Sequence, residues 1–129
     1  MNYTSTEEKI KVLDLQMLAS SVFIITVLIS IFITYNEEHF LRYNERILEA
    51  SKAATVVKIN RIVVLIVILC FLYVNYKTRE FDERNGRNTT PDQLEIVASY
   101  CSLIGALIIL YVVFKYSEDS ITITENPNE

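Results

Sequence analysis

Charged residues fall in blocks along this chain, and between the blocks lie three stretches with almost none. The longest, Leu15 to Tyr35, carries no charged side chain at all. A helix rising about 1.5 Å per residue takes a stretch of that length across the roughly 30 Å hydrocarbon core of a bilayer. A water-soluble helix of that size would keep a polar face. This one has only Ser20, Ser21, Thr26, Ser30 and Thr34, whose hydroxyls can bond back to carbonyls of the preceding turn. Two further apolar runs, Ile62 to Tyr76 and Ile96 to Phe114, read the same way. The pattern therefore predicts three transmembrane helices over about 12–35, 56–76 and 94–115. The first run is too long for a cleavable signal-peptide core and no small-residue cleavage site follows it, so it is expected to be retained.

The second span is the shortest, its uncharged core reaching only about two-thirds of the hydrocarbon thickness. Extending it back to Val56 brings in Lys58, Asn60 and Arg61. The two cations are expected at the interface, their heads snorkelling to water or pairing with Glu37 and Glu38 at the end of the first span. A cationic ring lining a vestibule is the other role open to them.

The connections have patterns of their own. Residues 36–55 turn abruptly polar but keep Phe40, Tyr43, Ile47 and Ala54 at helical spacing, which predicts a short amphipathic linker helix over about 37–54. Glu38 with Arg42, and Arg42 with Glu45, are spaced as helical ion pairs. Asn85-Gly86 signals a turn, and Thr90-Pro91-Asp92-Gln93 supplies a helix cap, so the third helix should begin at Pro91 or one residue either side. Thr4-x-x-Glu7 and Ser5-x-x-Glu8 are overlapping capping boxes that would start the first helix ahead of the membrane. The acidic tail, 117–129, is expected to be flexible. The fold class expected is all-α: a single membrane domain over 1–129, an integral membrane helical bundle with three transmembrane helices and a short amphipathic linker helix.

Composition sharpens the location more than the activity. With 129 residues, 51% of them hydrophobic, three spans leave no room for a separate soluble domain. The net charge of −4 arises mostly in the tail and connections and offers no basic surface, so no nucleic-acid partner is expected. Lys9, Lys11, Lys77, Arg79, Arg84 and Arg87 balance Arg42, Arg46, Lys52, Lys58, Arg61 and Lys115 across the membrane. Counting Lys58 and Arg61 as partly embedded tips the tally toward a cytoplasmic N-terminus in a plasma or inner membrane.

Candidate chemistry is sparse. Cys70 and Cys101 lie inside apolar runs, where thiols pack as small hydrophobes, and the lone His39 sits in the polar linker. No HExxH, GxSxG or P-loop pattern occurs, and no serine of the spans has a histidine or mid-membrane acid to activate it. The expectation is no enzyme, no cofactor and no metal site. Asp14, Gln16, Asn75 and Glu95 fall at one end of the three spans and could form a polar mouth together with Lys77. Ala98, Ser102 and Ala106 recur every four residues beside Gly105, a small-residue stripe that lets another helix approach closely.

These features predict a protein that acts by helix-helix interaction, as an accessory subunit or a homo-oligomer, with the lipid bilayer and either itself or another membrane protein as partners. The alternative is an oligomeric pore lined by Ser20, Ser21, Thr26 and Ser30. In topology alone, three crossings in a small chain resemble the phage holins, many of which have a basic tail where this one is acidic. A small carrier ranks third, since carriers keep an ionisable group near the midplane and the middle of every span here is uncharged.

Overall fold

The computed structural model describes the backbone of residues 3–125 and the side chains of residues 6–116. The chain forms three long helices, α1 (Tyr3–Tyr43), α2 (Ala50–Arg84) and α3 (Thr90–Glu125), with no strand among the described residues. Each contains a stretch long and apolar enough to cross a membrane, as the sequence leads one to expect. At 41 residues α1 is about 60 Å long, roughly twice a hydrocarbon core, so its ends extend past any membrane it spans.

Helix ends are set by local chemistry. Asn44 takes a left-handed φ of 54°, a conformation asparagine tolerates, and its N–H closes on the Phe40 carbonyl at 2.7 Å to end α1. α2 ends in a Schellman turn around Gly86, at φ 67°. The Arg87 N–H reaches the Asp82 carbonyl at 2.8 Å and the Gly86 N–H reaches Glu83 at 3.3 Å. α3 starts at Thr90, within the expected margin, with Thr89 rather than Thr90 in the capping position: the Thr89 carbonyl accepts the first helical bond, from the Gln93 N–H at 2.9 Å.

Three expectations change. No separate linker helix exists over 37–54: α1 runs on to Tyr43, a turn occupies 44–49, and α2 begins at Ala50. The apparent amphipathic face is divided by that turn, so Ala54 is buried in α2 while Tyr43 and Ile47 are exposed beside the break. Arg42 pairs with Glu38 at 2.9 Å as the spacing suggests, but Glu45 lies beyond the helix end. α3 does not stop at residue 116, because nothing between Pro91 and Pro127 interrupts its hydrogen-bond ladder, and it continues to Glu125. Residues 126–129 of the tail lie outside the described residues. So do the Thr4 and Ser5 side chains of the capping boxes, although α1 is already helical at Tyr3, upstream of both.

α2 is the middle of the assembly. It packs against α1 on one side and α3 on the other, and α1 and α3 do not pack on each other among the described residues. The buried residues show why. Ala53, Asn60, Val67, Val74 and Phe81 stand seven residues apart along α2, and Val12, Ala19 and Thr26 repeat that interval on α1. On α3 the buried Asp92, Ile96 and Ser99 continue through the half-buried Leu103, Ala106, Leu110 and Val113. A seven-residue period keeps one narrow seam facing a partner and winds paired helices left-handedly. Ala50, Ala53 and Ala54 bring the helices close near the α1–α2 turn, and Val12, Val74, Phe81 and Leu15 fill the opposite end.

Candidate functional site

Polar side chains mark both seams of α2 at intervals, and they carry what chemistry the molecule has. At the turn joining α1 to α2, the Asn36 amide is 0% exposed. It donates to the Leu48 carbonyl at 3.2 Å and accepts from the Leu48 N–H at 2.9 Å. Glu37 is ion-paired with Arg46, whose guanidinium lies 4.2 Å over the Phe40 ring. His39 Nδ1 meets the Glu45 carbonyl at 2.7 Å between the rings of Tyr35 and Tyr43. This end is a packed cap rather than a linker.

One helical stage further in, the Asn60 amide crosses from α2 to α1. Its Nδ2 donates to the Thr26 carbonyl at 3.2 Å and to Ser30 Oγ at 3.1 Å. A carbonyl only accepts, so the nitrogen must face α1, which leaves Oδ1 buried without a partner among the described residues. Thr26 Oγ1 and Ser30 Oγ also donate to their own helix, at 2.6 Å and 3.0 Å. Beside them Val22, Ile25, Ile29, Val56, Ile59 and Val63 enclose an apolar groove of about 200 Å³. Lys58 sits 5.6 Å over the Phe114 ring of α3, so Lys58, Arg61 and the neighbouring Lys115 share one level, opposite Thr26–Ser30 of α1. The apolar end of α1, Ile31 to Tyr35, therefore overshoots the cations on its neighbours.

The α2–α3 seam carries polar side chains as well. Asn75 Nδ2 donates to Ser99 Oγ at 2.7 Å and reaches the Glu95 carbonyl at 3.4 Å, while the Tyr76 and Tyr100 hydroxyls meet at 2.7 Å. Beyond the apolar runs, at the end of the molecule where α1 begins, Asp92 is 6% exposed and its carboxyl lies against that of Asp82. Contact with Asp82, burial, and the charges of Asp82 and Glu95 raise the Asp92 pKa above the ordinary aspartate value, and Arg79 opposes them. At the same end Glu8 of α1 lies 3.8 Å from Lys77 and 3.7 Å from Arg84. Glu80 pairs with both cations, and chiefly through Arg84 its pKa is lowered.

The residues singled out from sequence are distributed unevenly over this framework. Of the polar mouth, Asn75 and Glu95 meet across the α2–α3 seam, whereas Asp14 and Gln16 are exposed on α1, which does not reach α3. Of the hydroxyls considered for a pore, Thr26 and Ser30 face Asn60, Ser21 is exposed and bonded to the Met17 carbonyl at 2.9 Å, and Ser20 is half-buried. Glu37 and Glu38 are engaged by Arg46 and Arg42, and the buried Arg61 Nε has no partner among the described residues. On α3, Ala106 joins the seam half-buried, while Ala98 and Ser102 are exposed beside it. A Cβ built on Gly105 would meet nothing within 4 Å. Cys70 and Cys101 are free thiols, the second exposed. Among the described residues no group of three or more His, Cys, Asp or Glu side chains is placed to hold a metal ion.

Sequence reading missed Asn36 and the Asp82–Asp92 pair, and it placed Asn60 in the second span without a role. A signal was present in the seven-residue recurrence of small and polar residues through otherwise apolar helices. A search for matching family models, curated proteins and solved structures finds none.

Proposed function

We propose that the protein is an integral membrane protein whose three helices cross a bilayer, and that it acts by presenting helix faces to other helices, as a homo-oligomer or an accessory subunit without chemistry of its own. The observation that carries this reading is the unfilled small-residue surface of α3. Ala98 and Ser102 are exposed and the space over Gly105 is open, so a second helix can approach the backbone closely there. In lipid, where apolar surfaces gain nothing by leaving the solvent, such close approach is what draws helices together. The outer faces of α1 and α3 add exposed Ile24, Leu28, Ile104 and Ile108, which suit lipid tails.

The test is the mass of the purified protein in detergent and in lipid discs, compared with the Ser102→Leu variant. An oligomer, or a co-purifying membrane partner, that Ser102→Leu disrupts supports the reading. A wild-type monomer that binds nothing, or an assembly indifferent to Ser102→Leu, overturns it. Current across planar bilayers would favour the pore instead.

A further inference from the structure

We propose that the carboxyl groups of Asp82 and Asp92 hold one proton between them and form a pH-responsive clasp fastening the end of α2 to the start of α3. Two ionised carboxylates are acceptors only, so a contact between them has no hydrogen bond and leaves like charges together. The Asp92 Oδ2 atom is buried and meets no hydrogen-bond donor among the described residues. One added proton converts the contact into an O–H···O⁻ bond of the strong, charge-assisted kind. The geometry favours sharing over separation. Asp92 is fixed in the first turn of α3, Asp82 lends its backbone carbonyl to the Schellman turn through Arg87, and only residues 85–89 join the two helices.

The surrounding charges leave the proton as the missing component. On α2, Arg79 favours ionisation of Asp92, but its buried Nε bonds to nothing among the described residues. In the turn, Arg87 lies 3.4 Å from Asp82 and so faces that carboxyl, rather than Asp92, with its positive charge. On α3, Glu95 adds negative charge and disfavours a second ionisation. On α1, Glu8 at this end of the molecule is engaged by Lys77 and Arg84. The raised Asp92 pKa agrees with this arrangement and sets the sign. The clasp is complete at and below the ordinary aspartate range and is lost as pH rises through the raised value.

Hydrogen exchange of the full chain in lipid discs, corrected for the intrinsic pH dependence of exchange, tests it at the amides of residues 85–96. Wild-type protection there should fall as pH rises through the pair's titration, by about tenfold for each unit by which the pair's pKa is raised. Asp92→Asn, whose amide donates to Asp82 permanently, should hold its low-pH protection at every pH. An Asp92→Asn profile parallel to the wild type, or a flat wild type, overturns the proposal. If Asp92→Asn fails to fold, the ¹³C-carboxyl signal of Asp92 in the wild type decides: titration above the ordinary aspartate range supports the clasp, and titration within it overturns it.

Discussion

The side chain of Asn36 binds the backbone of Leu48 through both of its polar ends, donating at 3.2 Å and accepting at 2.9 Å. One buried amide thus substitutes for a strand of backbone pairing and fixes how α1 returns into α2. Replacing it by alanine would orphan the Leu48 N–H and carbonyl at a covered site, costing about 1–3 kcal/mol. Asn36→Asp should also destabilise, since it sets an oxygen against the Leu48 carbonyl. Denaturant unfolding in detergent, with faster proteolysis inside 44–49, would register both changes.

Asn60 has a different balance. Its amide makes two bonds to α1 and leaves Oδ1 unpaired among the described residues, and interhelical bonds in membranes are worth only about 0.6 kcal/mol on average. Asn60→Val extends the apolar seam of Val67 and Val74 and removes the orphan. It should shift the unfolding midpoint little, while Asn60→Asp, which puts a charge in the same place, lowers it clearly. Thermal unfolding of the three proteins in one detergent makes the comparison.

The stripe on α3 separates surface from seam. Ala98→Leu and Ser102→Leu enlarge exposed positions and should leave the monomer as stable as before while weakening any assembly through α3. Ala106→Leu enlarges a half-buried position against α2 and should cost about 1–3 kcal/mol of stability by overpacking. Unfolding and sedimentation, measured on the same samples, distinguish the two effects.

The thiols report on the surroundings of the helices. Alkylation needs the thiolate, and thiolates form in water. If hydrocarbon surrounds α2 and α3, a water-soluble maleimide should label neither Cys70 nor Cys101 in intact membranes. After unfolding in denaturant both should react, and in mild detergent the exposed Cys101 should react before Cys70. Mass spectrometry of the labelled chain reads each site.

At the end where α1 begins, two acids respond to pH in opposite senses. The Glu80 pKa is depressed by Arg84 and Lys77, so its contribution is present above the ordinary glutamate range and is lost as pH falls through the lowered value. Asp92 behaves in reverse. Acidification should therefore weaken the pairing of Glu80 with Lys77 and Arg84 along α2, while the α2–α3 contact tightens. Because Glu80 is exposed the first effect should be small and fade in high salt, which amide hydrogen exchange over residues 77–84 at two ionic strengths can follow.

The three apolar helices were legible because a bilayer's hydrocarbon favours uncharged runs of that length and water does not. The Asn85-Gly86 and Pro91 boundaries were legible because those residues restrict the backbone. The amphipathic reading of 37–54 failed for a physical reason: Phe40, Tyr43, Ile47 and Ala54 have helical spacing, but the break at Asn44 depends on a side chain, Asn36, eight positions upstream and itself inside an apolar-looking helix. The site residues divide the same way. Small residues on α3 are visible in a string of letters. Whether Ala106 or Ser102 points at α2 depends on which of the recurring positions the seam uses, and the packing of α3 on α2 decides that.

Because α2 lies between α1 and α3 and those two never meet among the described residues, the three helices stand in a row rather than around an axis. Every contact surface then joins neighbours in the chain, and none must wait for a distant segment. Each hairpin can zip shut as its second arm is synthesised, with α3 adding to a finished pair, so assembly keeps pace with the ribosome and leaves no long loop to close. A row also has two open flanks, and it can be lengthened sideways by another rod without disturbing any seam already made.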